Sequence, residues 1–208
     1  SKRSGKPKVL IFSKTAGYHN TSIPDGIAAI QKLGAQHTFD VDTTTNSESF
    51  TEENLKQYSA VIFLSTTGDV LNHYQEADFE RYIQAGGGYV GIHAATDTEY
   101  DWGWYGRLVG GYFADHPSIQ QATLQVTEKN HVATDSLPET WTRTDEWYSF
   151  KKINPQTTVL LKIDETSYKP NTTMGDHPMA WYHHYDCGRA FCTALGHTTE
   201  SYAEPLFL

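Results

Sequence analysis

The chain has 208 residues, 38% hydrophobic and 20% charged, enough for a sizeable core, with no apolar run near the ~20 residues of a membrane span. Net charge is −9; without Lys2, Arg3, Lys6 and Lys8 the remainder carries 12 basic against 25 acidic residues, a net of −13. Such a body repels nucleic acid and anionic membrane surfaces, so the expected partner is a small neutral or cationic molecule.

The opening SKRSGKPK reads as a disordered, basic lead-in. No signal segment is visible, and both a mature exported form and a cytoplasmic protein fit. Residues 8–12, KVLIF, form a short apolar run, the mark of a buried strand. The loop SKTAGYHNTSIP follows. Ile23, Ile27, Ile30 and Leu33 are spaced as one helical face, and Gly34 is expected to stop that helix. HTFDVDT alternates as a second strand, and FTEENLKQY, opened by Thr51, predicts a short helix. AVIFLST at 60–66 is a third strand. QEADFERYIQAGGG is an amphipathic helix with Phe79, Tyr82 and Ile83 inward, stopped by glycine. YVGIHA is a fourth strand. This β-α-β-α-β-α-β order predicts a parallel sheet covered by helices, with ligands at the carboxyl ends of its strands. Gly86-Gly87-Gly88 lies before the fourth strand and lacks G-x-G-x-x-G spacing, so it reads as a turn and no nucleotide is expected.

The second half is richer in strands: ATLQVTE, WTRTDEWYSF, TTVLLKIDE, PMAWYHHY and GRAFCTALGH, with YDCGR as a hairpin turn. Cys187 and Cys192 flank extended chain and are too far apart for a mutual disulfide. There is no internal repeat or linker, so one domain is expected. The strand ends carry SKTAGYHN, STTGD, HAATD and ALGHT. In a parallel sheet His19, Asp69, His93 and Asp97 then share one rim, joined by His197 if the last strand is parallel to the others.

Several stretches resemble the trehalose-utilisation (ThuA-like) family: SKTAGY, SIPDGIAAI, FLSTTGDVL, GGGYVGIHAATDTEYDWGWYGRLVGGYFADHP, TDEWYSF, HPMAWYHHY and GRAFCTALGHT. The resemblance covers the chain from residue 8 onward, and implies one ThuA-like domain over 8–208 after a lead-in over 1–7. It implies a flavodoxin-like three-layer α/β/α sandwich with a mostly parallel sheet and β-rich additions in the second half. The family is similar in fold to class I glutamine amidotransferases and is associated with trehalose and related disaccharides, often beside sugar oxidoreductases that make keto-sugars. His93 stands where the amidotransferase elbow carries cysteine, and an imidazole forms no thioester with glutamine. The family reads Gly-aromatic-Arg-His where this chain has Gly17-Tyr18-His19-Asn20, often has glutamate at the place of His184, and continues into a helix beyond SYAEPLFL.

His93, in the G-x-H-x-A frame of Gly91 to Ala95, is the leading candidate for proton transfer near neutral pH. Asp97 could orient it, bind a sugar hydroxyl or cap a helix. Asp145 and Glu146 are adjacent; in an extended strand only one enters a given pocket, and Glu146 is preferred because Asp145 could serve a turn. His197 completes the catalytic candidates. Tyr18, His19, Asn20, Trp102, Tyr105, His116, Trp147, His177 and Trp181 are candidates for substrate binding, the aromatics as walls for sugar C–H faces or as core packing. Histidines and a carboxylate at one rim could hold a divalent metal, although their spacings match no recognised ligand pattern. The expectation is a sugar-acting protein using histidine and carboxylate acid–base chemistry, or a non-catalytic carbohydrate-binding domain of the same fold; whether it acts alone or as an oligomer is open.

Overall fold

The structure is a computed structural model describing residues 5–208; residues 1–4 of the expected lead-in lie outside the described residues. Chain order runs β1 (Lys8–Phe12), α1 (Ile23–His37), β2 (Asp40–Thr44), α2 (Glu52–Leu55), β3 (Ala60–Leu64), α3 (His73–Gln84), β4 (Gly88–Ile92) and α4 (Gly103–Val109). It continues with β5 (Tyr112–Asp115), β6 (Gln120–Val126), β7 (Thr140–Asp145), β8 (Ser149–Lys151), β9 (Thr158–Ile163), β10 (Pro178–Tyr185) and β11 (Gly188–Thr193).

Nine strands make one sheet in the order β2-β1-β3-β4-β11-β10-β9-β6-β7, and β5 pairs with β8 separately. The first five positions are parallel. Their order is that of a flavodoxin-like sheet, with β11 taking the fifth place. From β10 outward every pairing is antiparallel. Parallel β11 is what brings the chain's last loop to the carboxyl edge.

Alternating side chains divide the core between two faces. Ile11, Ile62 and Leu64 pack with Ile23 and Ile30 of α1, while Phe12, Phe63 and Tyr89 pack with Phe50 and Phe79. Phe12, Phe50, Phe63 and Phe79 form a cluster with contacting ring centroids 4.6–5.8 Å apart, each such pair contributing ~0.5–1.5 kcal/mol beyond area burial. Helices on both faces of the sheet make the three-layer α/β/α sandwich.

One helix cap follows the sequence expectation, a second was not read from the sequence, and a third departs from it. The Thr51 side chain accepts from the Asn54 N–H. Asn72 accepts from Tyr74 and Gln75 N–H while the Gln75 side chain returns the bond, a capping box that starts α3. Gly34, however, does not end α1. The helix runs on to His37, and Thr38 closes it in the left-handed conformation at φ 62°. Gly34 is small for another reason: a Cβ there would lie 2.7 Å from the Phe39 carbonyl oxygen and 2.9 Å from Val41. WTRTDEWYSF also fails to run as one strand, since β7 ends at Asp145 and β8 begins at Ser149. Helix α4, with its buried Tyr105, was not legible in the sequence. Both cysteines are free, Cys187 exposed in the β10–β11 turn and Cys192 buried in β11. Among the described residues no helix is long and apolar enough to cross a membrane.

Candidate functional site

The strand β4 delivers His93 into a strained turn. His93 opens a 3-10 helix over His93–Asp97 with φ 51°, the left-handed region that a non-glycine residue occupies at a cost of ~1–3 kcal/mol. Such strain persists where the surroundings over-determine it, and here they do. A Cβ on Gly91 would meet Tyr89 Oη at 2.7 Å and Ala95 Cβ at 3.2 Å, so only glycine lets the turn close. The Tyr105 hydroxyl donates to the Ala95 carbonyl at 2.7 Å and braces the turn from the α4 side.

Parallel pairing of β4 with β11 sets Ile92 opposite Thr193, so the two chains leave the sheet side by side. His93 Nδ1 consequently lies 2.8 Å from the Ala194 carbonyl oxygen. A carbonyl only accepts, so Nδ1 carries the proton and Nε2 faces the site. His197 Nδ1 is 3.2 Å from His93 Nε2, and Glu146 Oε1 is 3.3 Å from each. His93 is 1% exposed, whereas the Glu146 and His197 side chains keep 10% and 15%. The triad is therefore closed on the His93 side and opens past the other two. Glu146 Oε2 reaches the half-exposed His116 ring at 3.4 Å, and the Tyr148 ring lies over His93 with centroids 4.3 Å apart.

Burial alone would raise the Glu146 carboxyl, but the adjoining imidazoles of His93, His197 and His116 hold it below its ordinary value. Burial and the neighbouring His93 push His197 down, against the pull of Glu146 and Asp145. Asp97 is raised, mainly by burial, with the Tyr100 hydroxyl, His93, Lys151 and His116 acting the other way.

Asp145, buried completely, builds the support. Its carboxylate accepts from Gly196 N–H at 2.8 Å and His197 N–H at 3.1 Å, and pairs with buried Arg143. Arg143 continues to Glu204 at 2.7 Å and to the Ser201 hydroxyl at 2.7 Å. Because β7 ends at Asp145, the two neighbouring carboxylates are not forced to opposite faces. Asp145 grips the backbone that carries His197, and Glu146 meets its ring. Of the two, only Glu146 joins the triad, and Asp145 supports it from behind. Burial would raise Asp145, yet Arg143, His93 and the Gly196 N–H keep it ionised below the usual carboxylate range.

Of the remaining candidates, Asn20 is brought in. Its Oδ1 accepts from the Ser22 N–H and hydroxyl, which turns Nδ2 towards His197 Nδ1 at 3.4 Å. Tyr18 and His19 are not. Tyr18 is 65% exposed, and exposed His19 pairs with Thr15 at 3.0 Å, outside the triad. The four candidate aromatic walls are core residues. Trp147 donates to Gln120 O, Trp181 to Val109 O, Trp102 to Glu80, and Tyr105 is fully buried. Indoles need a partner when buried, and each of these finds one inside the fold, which explains tryptophans outside apolar runs without a sugar. His177 is also internal, bonding Tyr148 O at 2.7 Å and Glu165 at 3.0 Å, so it steadies the strip that carries Tyr148. Two residues at the site escaped the sequence reading: Ala194, whose backbone sets the His93 tautomer and has no side-chain signal, and Arg143, whose signal is an inward position in the alternating run TWTRTD.

The flavodoxin-like sandwich carries a histidine, in place of a thiol or hydroxyl, at the strained first position of the turn after β4. The profile of the ThuA family, described as trehalose utilisation, matches residues 8–208, and the chain belongs to this family. That membership ties it to carbohydrate metabolism. Among solved structures it is similar to a ThuA-like protein from Bacteroides uniformis ATCC 8492, at TM-score 0.82 and 24% identity over 99% of this chain and 89% of that one. A ThuA-like protein from Parabacteroides merdae ATCC 43184 follows at TM-score 0.77 and 21% identity, covering 93% and 81%. A cytoplasmic protein from Salmonella typhimurium LT2 matches at TM-score 0.66 and 16% identity, covering 96% and 92%. At these identities the likeness is one of fold. No curated protein matches.

Proposed function

We propose that the protein acts on a disaccharide or an oxidised sugar by acid–base chemistry centred on His93, moving a proton beside a sugar carbonyl in an isomerisation or elimination. The observation that carries this reading is the contact of His93 Nε2 with Glu146 Oε1 at 3.3 Å, with Nδ1 anchored on Ala194 O. With the Nδ1 proton held by the Ala194 carbonyl, the Nε2 lone pair faces the site between Glu146 and His197 and is placed to accept a proton, which the adjoining carboxylate then stabilises on the ring. Asp97 and His116 stand close enough to bias the same proton by charge.

Two features favour catalysis over a carbohydrate-binding module. Titratable groups are concentrated around one buried histidine, and the tryptophans that would form a stacking groove are packed inside. Glutamine hydrolysis is not expected, since His93 occupies the elbow and Cys192, the nearer thiol in the sheet, is buried with its pKa pushed up.

The test is a screen of purified protein against disaccharides and their 3-keto forms, with and without divalent ions, beside His93→Asn. Turnover that disappears in a folded His93→Asn protein supports the reading. Full activity in that variant removes His93 from the chemistry, and ammonia release from glutamine, lost on His93→Asn, would restore the amidotransferase.

A further inference from the structure

The geometry points to a divalent metal site formed by His93 Nε2, Glu146 Oε1 and His197 Nδ1, taking zinc or a similar first-row ion, with a further position open to water or a sugar oxygen. This inference concerns the site proposed above but rests on its geometry, independent of any sugar activity. It replaces the proton between these groups by a divalent cation.

The three atoms form an almost equilateral triangle with edges of 3.2, 3.3 and 3.3 Å. Ligand atoms about 2.0–2.2 Å from a tetrahedral zinc ion stand about 3.3–3.5 Å from one another, so these edges are those of one ligand face. Two imidazoles and one carboxylate are also a donor set that zinc takes at catalytic sites with an open position.

Hydrogen-bond accounting leads to the same place. The Ala194 carbonyl claims the Nδ1 proton of His93, leaving a lone pair on Nε2. Asn20 has its Oδ1 engaged by Ser22 and turns Nδ2 towards His197 Nδ1 at a long 3.4 Å, so that nitrogen is unprotonated and an ion would take its single lone pair in place of this weak contact. The Glu146 oxygen is the third acceptor. Three acceptors facing inward need a cation, and a single proton lies along one edge at a time whereas a metal ion meets all three. Outer contacts have the form that steadies metal ligands. The Ala194 carbonyl orients His93, His116 faces the other Glu146 oxygen at 3.4 Å, and Asp145 holds the His197 backbone. The open side lies past Glu146 and His197, the two ligands that keep solvent exposure. A metal there would polarise a sugar carbonyl or lower the pKa of a bound water.

The spacings 93, 146 and 197 form no short ligand motif, so no sequence pattern announces the site. It exists because parallel β11 and the end of β7 converge on the turn after β4.

The test uses the whole chain without a histidine tag, stripped with a chelator and titrated with zinc and cobalt(II) chloride. Calorimetry should show one ion per chain, cobalt should give the visible bands of a low-coordinate complex, and zinc should raise Tm. Glu146→Gln, which keeps the carboxylate's shape, and His197→Ala should each weaken binding by more than the ~10–100-fold typical of losing an outer-shell partner. The exposed His184→Gln should bind as the parent does. X-ray absorption on the zinc-loaded parent, which needs no variant to fold, should show two imidazoles and an oxygen donor. Absence of binding, unchanged affinity in Glu146→Gln and His197→Ala, or a spectrum with other ligands overturns the site. Sugar turnover without metal binding leaves the acid–base reading standing and removes the ion; metal binding without turnover does the reverse.

Discussion

The parallel and antiparallel halves of the nine-stranded sheet reach the triad by different means. From the parallel half come His93 at the end of β4, His197 after β11, and Asn20 after β1, all at carboxyl edges where the fold directs loops. The antiparallel half contributes Glu146 and its support, Asp145 and Arg143, from a strand on the far edge of the sheet. The contrast shows in the chemistry of burial. The parallel half holds its histidine in a strained turn closed by small-residue packing, whereas the antiparallel half holds Asp145 by an ion pair and three backbone N–H bonds. A site at such a seam needs both halves to dock correctly, and variants in each should fail differently.

The largest effect is expected from His93→Asn. Loss of the positioned base should slow turnover of the identified sugar by ~10²–10⁴-fold, read in a steady-state assay beside thermal melting. Asparagine tolerates the left-handed backbone that His93 adopts, so Tm should move little. His93 is buried, and His93→Ala leaves the Ala194 carbonyl without its donor, a cost of ~1–3 kcal/mol.

Next in size is Asp145→Asn in the antiparallel half. It removes one of the two carboxylates paired with buried Arg143, leaving Glu204, and should destabilise by ~1–3 kcal/mol, measured as a lower urea midpoint. An unchanged midpoint would show that the latch on Gly196 and His197 carries little of the seam. In the parallel half, Gly91→Ala forces a Cβ against Tyr89 Oη and should cost ~1–3 kcal/mol by the same measurement.

The smallest effect, and the sharpest test of the contrast, is in pH dependence. Glu99, in the parallel half, is raised to about 7, chiefly by burial, against the Val70 and Leu71 N–H groups that bond it. Its folded pKa lies above the unfolded one, so its ionisation costs stability progressively from about pH 4.5 to about 7 and by a constant amount above. Glu99→Gln keeps an acceptor for both N–H groups without the charge. Its Tm relative to the parent should therefore climb across that window and level off. Asp145 has the opposite sign. Its folded pKa is depressed, so its contribution is complete above the unfolded value of 3.8 and is lost as pH falls through the lower folded value. A Tm difference for Glu99→Gln that is flat in pH would mean that this carboxylate is better solvated than its buried position implies.

Much of the parallel half was legible because its signals are local. KVLIF and AVIFLST are short apolar runs, and Phe79, Tyr82 and Ile83 repeat at helical spacing, so period and length name the element. His93 stood out because Gly91 and Ala95 bracket it at an elbow. Glu146 was preferred because Asp145 could serve a turn, and Asp145 does hold the Gly196–His197 turn, although the opposite-faces argument does not apply where the strand ends. The aromatic walls misled because a tryptophan in a polar stretch looks like a surface residue until its N–H is traced to a buried carbonyl.

Amino-acid order by itself determined the βα alternation, the family, the histidine turn after the fourth strand and the acidic character that disfavours polyanions, since these depend on neighbouring residues or on composition. Only the tertiary structure decided that His93, Glu146 and His197 meet within 3.3 Å, that Asn20 joins them, and that His19, His177 and the tryptophans do not. The physical reason is that strand direction and register are settled by which apolar faces bury together. Placing β11 parallel beside β4, and ending β7 at Asp145, are outcomes of packing across more than 100 residues of chain that no local period records.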